Sequence, residues 1–154
     1  MLNKKKRTKL KGFSLFELLV TMGILLLLST IVFPLATQKA QMSKLETYAS
    51  QLVTDAYFQQ QEAYLKGFQR GLSISSDGYT LFDGESLATA TDTDIKKYPR
   101  NISIESISFS SGNEIVFPEG TFKPSSFGTL IISDGTFSVR VYINQEGLIE
   151  YETL

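Results

Sequence analysis

Residues 11–36 read KGFSLFELLVTMGILLLLSTIVFPLA, and one acid, Glu17, interrupts an otherwise apolar run. Residues 18–36 carry no charge at all. At about 1.5 Å of rise per residue, a helix over residues 13–36 reaches roughly 36 Å, enough to cross a hydrocarbon core of about 30 Å. Leu and Ile dominate without an amphipathic period, so a membrane span is the better reading than a buried soluble helix. Six basic residues precede the run: Lys4, Lys5, Lys6, Arg7, Lys9 and Lys11. That flank predicts a cytoplasmic N-terminus, with the remainder outside. A carboxylate inside such a span costs about 2.5–3.5 kcal/mol on insertion scales, so Glu17 calls for a physical reason.

Four fates of the segment compete. A secretory signal needs a small-x-small cleavage site after the apolar run, and residues 33–40 (FPLATQKA) offer only poor ones. A lipoprotein signal needs a cysteine, and the chain has none. An uncleaved anchor gives Glu17 no purpose. The fourth fate follows from Lys11-Gly12-Phe13-Ser14-Leu15-Phe16-Glu17, which resembles the cleavage motif of type IV prepilins and pseudopilins. The resemblance implies a cut by prepilin peptidase between Gly12 and Phe13, on the cytoplasmic side. Phe13 then becomes the N-methylated first residue and Glu17 the fifth, where that family carries its glutamate. It also implies that Glu17 of one subunit meets the new amine of Phe13 in a neighbour, a pair made strong by low dielectric. The competing reading is a carboxylate that snorkels to the interface. Pro34, twenty-one residues after Phe13, removes a helical hydrogen bond and predicts a kink; the family often has a proline there. Gly23 weakens the helix slightly and permits close helix approach.

The net charge of −1 conceals an asymmetry. With six of fifteen basic residues in the leader, the rest of the chain carries nine against sixteen acids, a net −7. An acidic ectodomain argues against DNA binding by phosphate neutralisation across its surface. Zero cysteine excludes disulfides, unlike many major type IV pilins of Gram-negative bacteria, and zero His removes the usual general base. Ser73, Ser75 and Ser76 therefore have no histidine to activate them. Asp77, Asp83, Glu85, Asp92 and Asp94 lack the spacing of a calcium loop and read as a solvated acidic stretch. Lys96, Lys97 and Arg100 beside Tyr98 form the one basic-aromatic cluster outside the leader, and surface solvation is favoured over contact with DNA. No enzyme, cofactor or metal site is expected.

Beyond Pro34 the helical pattern resumes over residues 38–68, now amphipathic. Met42, Leu45, Ala49, Leu52, Ala56 and Ala63 recur at three- and four-residue steps, broadened by Val53, Tyr57 and Tyr64. Lys44, Gln51, Asp55, Gln59 and Glu62 fall on the opposite face, and Gly67 is the expected stop. After Gly71 the chain reads as strands: 72–75 and 79–82 about a Ser76-Asp77-Gly78 turn, then 102–109 with a bulge at Glu105-Ser106. The strands 114–117, 129–133, 137–143 and 148–151 follow. Residues 84–98 read as an exposed loop. The expected fold is α+β: a long N-terminal helix packed on an antiparallel sheet of six or seven strands. Its expected parts are a leader (1–12), a transmembrane helix (13–36), an amphipathic helix (37–68) and a β ectodomain (69–154).

The C-terminal order of Ile115, Gly120, Gly128-Thr129-Leu130-Ile131-Ile132, Val139 to Ile143 and Gly147-Leu148-Ile149 resembles the GspH/FimT group of minor pseudopilins, and within it ComGD-type competence pseudopilins. Gln59-Gln60-Gln61 at the helix end and the hairpin after it carry the same likeness. This implies a role in a DNA-uptake pilus, with other ComG-type pilins, prepilin peptidase, an assembly ATPase and its membrane platform as partners. A type II secretion pseudopilus, another type IV pilus, and an unprocessed membrane-anchored binding domain are the alternatives.

Overall fold

Fifty-two residues, Leu15–Lys66, form one helix, α1, with Pro34 inside it. The computed structural model describes residues 12–154. These divide into two compact units, one running to Lys39 and the other spanning Ala40–Leu154. Residues 1–11, on which the expected leader and its six basic positions fall, lie outside the described residues.

In the first unit every described side chain of residues 12–39 is exposed. Its helix is long and apolar enough to cross a membrane. The physical meaning is simple: this stretch has no core of its own within the chain and depends on lipid or other protein for its apolar surroundings.

In the second unit the helix has a sharply buried stripe. Leu45, Ala49, Leu52, Ala56 and Ala63 have no solvent exposure, as their spacing predicts. Three of the five are alanines, whose small side chains bring the helix backbone close to the strands beneath. The helix ends at Gly67, which has φ 67° and whose N–H donates to the Ala63 carbonyl at 3.2 Å. Only a glycine adopts that backbone without strain.

Eight strands follow rather than six or seven, and they form two sheets. The first sheet has the order β3-β2-β1-β5 and the second β4-β6-β7-β8. The first holds β1 (Arg70–Ser75), β2 (Gly78–Asp83), β3 (Asp92–Lys97) and β5 (Glu114–Phe117). The second holds β4 (Ser103–Phe109), β6 (Gly128–Ser133), β7 (Ser138–Ile143) and β8 (Ile149–Thr153). All pairings are antiparallel. A single apolar cluster joins the helix stripe to both sheets through residues such as Leu72, Ile115, Phe117, Leu130, Val141 and Ile149. The α+β architecture is therefore as expected, while the sheet is split in two.

The extra strand is β3, in the stretch read as a loop. It pairs with β2 from Asp83↔Asp92 to Gly78↔Lys97, so backbone bonding holds it. Five of its six residues are exposed, which removes the apolar alternation that identifies a strand in a sequence. The expected bulge is present: the register of β4 against β6 shifts between Ile104 and Ser106.

Gln59 corrects the reading of the helix's polar face. It is buried, at 4% exposure, and its Oε1 accepts from Arg70 Nη1 at 3.4 Å. Arg70 opens β1, and its guanidinium also meets Asp83 at 3.0 Å and Glu62 at 3.7 Å, with the Phe68 ring 4.7 Å away. This ion-pair group closes the corner between helix and sheet. Asp55, read as solvated, accepts a hydrogen bond from the Tyr79 hydroxyl at 2.6 Å. Gln60, also buried, donates through Nε2 to the carbonyls of Phe122 at 2.7 Å and Gly147 at 2.8 Å.

Candidate processing and assembly site

Gly12, Phe13 and Ser14 precede the helix in non-helical backbone, and all three are exposed. Helix α1 begins at Leu15 because Ser14 caps it. The Ser14 carbonyl accepts the first helical bond, from Leu18 N–H at 3.1 Å. Its hydroxyl oxygen accepts the N–H of Glu17 at 3.2 Å. Ser14-Leu15-Phe16-Glu17 has the Ser-x-x-Glu spacing of a capping box, a signal the sequence itself carries. Glu17 lies in the first turn, where the positive end of the helix dipole favours an anion.

The polar side chains of the apolar stretch fall into two groups. Thr21 donates its hydroxyl to the Leu18 carbonyl, Ser29 to Leu25 and Thr30 to Leu27, at 2.7–2.9 Å. Each hydroxyl is thereby satisfied within its own helix, as a lipid environment demands. The Glu17 carboxylate has no hydrogen-bond or ionic partner among the described residues. Of the four polar side chains between residues 15 and 36, it alone remains to be paired from elsewhere.

The site residues read from sequence are thus partly brought together. Gly12 and Phe13 are adjacent, and Glu17 sits one helical turn on. Pro34 lies far along the same helix, about 29 Å from Leu15 at 1.5 Å per residue, and belongs to no common site with them. Its missing N–H deprives the Thr30 carbonyl of its helical donor, and the Thr37 hydroxyl donates to Pro34's own carbonyl at 2.9 Å.

The second unit carries an unusual helix surface. Ser43, Thr47, Gln51, Thr54, Phe58, Gln61 and Leu65 follow one another at three- and four-residue steps, and all are exposed. None is charged, although solvated helix faces are ordinarily rich in Lys and Glu. Phe58 and Leu65, two turns apart, are 55% and 75% exposed.

The basic-aromatic cluster is divided between surface ion pairs and the core, with Arg100 exposed. Lys96 pairs with Asp94 at 2.7 Å and Lys97 with Asp77 at 3.7 Å. The Asp94 bond raises the Lys96 pKa, and the Ser75 hydroxyl, ahead of Lys97, lowers that of Asp77. Tyr98 turns inward, packed 5.2 Å from the Tyr48 ring and 6.0 Å from Tyr79. Burial, followed by the nearby Asp55 carboxylate, pushes the Tyr98 phenol well above its ordinary range.

Comparison with known proteins agrees with both units. Residues 7–33 match the family described as the prokaryotic N-terminal methylation motif. No curated protein matches the chain. Its fold is similar to that of the type IV minor pilin FimU of Pseudomonas aeruginosa, with a TM-score of 0.56 and 17% identity. The similarity covers 73% of this chain and 90% of FimU. The chain therefore combines an N-terminal methylation motif with a type IV pilin-like fold.

Proposed function

We propose that the chain is a minor pseudopilin, cut between Gly12 and Phe13, methylated on Phe13 and assembled into a type IV-like filament through its N-terminal helix. One observation carries this reading: an exposed apolar stretch, residues 15–36 of α1, in which Glu17 is the one polar side chain without a partner among the described residues and lies one turn from the Gly12–Phe13 junction. An isolated anchor leaves that carboxylate unpaired in lipid. Stacked subunits pair it with a neighbour's amine at Phe13, and burial from water makes the pair a register device. The uncharged outer stripe of the second unit supports packing against further subunits. Before assembly the chain sits in the cell membrane with its N-terminus cytoplasmic and its ectodomain outside; after assembly it lies at the cell surface. Prepilin peptidase, an assembly ATPase, its membrane platform and other pilins are its partners.

The filament we favour is a competence pilus for DNA uptake, supported by the likeness of the C-terminal strand and glycine order to ComGD-type proteins. Direct DNA contact is not part of the proposal, since the acidic ectodomain and the paired Lys96 and Lys97 oppose it. Mass spectrometry of the membrane-extracted protein tests processing: the expected N-terminus is methylated Phe13, and a chain that retains residues 1–12 in the presence of its peptidase refutes it. Deleting the gene tests the pathway. Transformation is expected to fall to background; intact transformation with impaired protein secretion would assign the chain to a type II secretion pseudopilus instead.

A further inference from the structure

We infer that Ser14 is a positioning residue for cleavage, because its cap keeps the scissile carbonyl of Gly12 out of helix α1. The inference rests on the processing reading above and deepens it. In an α-helix each N–H donates to the carbonyl four residues earlier. Were α1 to extend toward Gly12, the Glu17 N–H would donate to Phe13 and the Phe16 N–H to Gly12. The Gly12 carbonyl is the group a peptidase must polarise and attack, and a helical bond would occupy it and curl the backbone around it. Here the Ser14 hydroxyl oxygen takes the Glu17 N–H instead, at 3.2 Å, in direct competition with the Phe13 carbonyl. The first helical acceptor is then Ser14, and Gly12 to Ser14 remain non-helical and exposed.

Such a cap has unusual weight at this place. An apolar helix entering lipid gains by satisfying every free N–H at its start, so it tends to recruit further residues into its first turn. Gly12 resists recruitment through its backbone entropy, but Phe13 does not. The hydroxyl of Ser14 supplies the missing acceptor locally and stops the helix two residues beyond the bond to be cut.

The test compares processing rates of the full-length chain in membranes with its prepilin peptidase, by pulse-chase, with the new N-terminus read by mass spectrometry. Ser14→Ala is expected to be cut about fivefold more slowly, the population factor matching the ~1 kcal/mol of an ordinary lost cap. Ser14→Thr, which retains an acceptor, is expected to be cut at the wild-type rate. The double variant Ser14→Ala/Leu15→Pro separates helix stopping from a direct contact of the hydroxyl with the enzyme. Proline at the first helical position presets the helix start without any hydroxyl, so it is expected to restore cleavage. A Ser14→Ala chain cut as fast as wild type overturns the inference, and so does a slow Ser14→Ala chain that Leu15→Pro fails to rescue. A wild-type chain that the peptidase leaves uncut removes the processing reading and this inference with it, before any variant is compared.

Discussion

Replacing Gln60 tests what holds the loops of the second unit to its helix. Gln60 Nε2 donates to Phe122 and Gly147 carbonyls, 62 and 87 residues away in sequence. Gln60→Leu keeps the approximate volume and removes both donors. Each hydrogen bond contributes a net ~1 kcal/mol, and a carbonyl left buried and unpaired adds about 1–3 kcal/mol. Phe122 is exposed and its carbonyl can turn to water, whereas Gly147 is buried and cannot. The expected loss is therefore about 3 kcal/mol, a large part of the roughly 5–15 kcal/mol that holds a small domain together. The fragment Ala40–Leu154 contains every residue of the apolar cluster and is the natural material for urea unfolding. With a urea slope of about 1.5 kcal/mol/M, the midpoint should fall by about 2 M. Gln60→Glu sharpens the test. Its neutral carboxyl can donate to one carbonyl, while its ionised form sets a charge against two carbonyl oxygens. Its folded pKa is then raised above the unfolded value of about 4.3. The stability it contributes is present below that value and is lost as pH rises through the folded pKa. Gln60→Glu should therefore approach wild type in acid and fall behind it near neutrality. An unchanged midpoint for Gln60→Leu, or a pH-independent gap for Gln60→Glu, would refute the clamp.

Three further outcomes follow from the same structure. Tyr79 and Tyr98 resist ionisation, first through burial and then through Asp55, so they should stay protonated in alkali until the fold opens. Because the unfolded chain releases those protons first, stability should decline as pH rises past about 10, the ordinary tyrosine value, and Tyr79→Phe should lessen that slope in unfolding measured against pH. A Cβ at Gly71 would stand 2.5 Å from the Phe82 ring and 2.7 Å from the Ile115 carbonyl, so Gly71→Ala should cost about 1–3 kcal/mol in thermal unfolding; an unchanged melting temperature would show that the strands part freely there. Glu17→Lys should leave cleavage intact but abolish filament assembly and transformation, and normal transformation by a stably expressed variant would sink the assembly role.

Much of the fold was open to reading because it depends on local pattern. The Leu45 to Ala63 stripe, the Gly67 stop, the Ser76-Asp77 turn and the bulge after Ile104 each express a residue's own backbone or periodic preference. Other features depend on partners remote in sequence. Gln59 and Gln60 look like solvated helix residues, yet Arg70 and two distant carbonyls draw them inward. Strand β3 has the composition of a loop, and its pairing with β2 makes it a strand. The Ser14 cap is local, a Ser-x-x-Glu spacing the sequence carries in full.

The sequence alone determined the long apolar helix, the methylation-motif match that spans Gly12 and Phe13, and the position of Glu17, because length, charge order and spacing along one chain are properties a linear string carries. It also determined that helix and strands would share one core, through the periods of their apolar residues. Only the tertiary structure decided that the strands divide into two sheets and which polar residues are buried. Strand order and polar burial depend on which distant backbone groups come within hydrogen-bond reach, and no local pattern encodes that. Glu17 shows the opposite case: the three hydroxyls of its apolar stretch are satisfied by carbonyls three or four residues back, whereas its carboxylate finds no partner among the described residues.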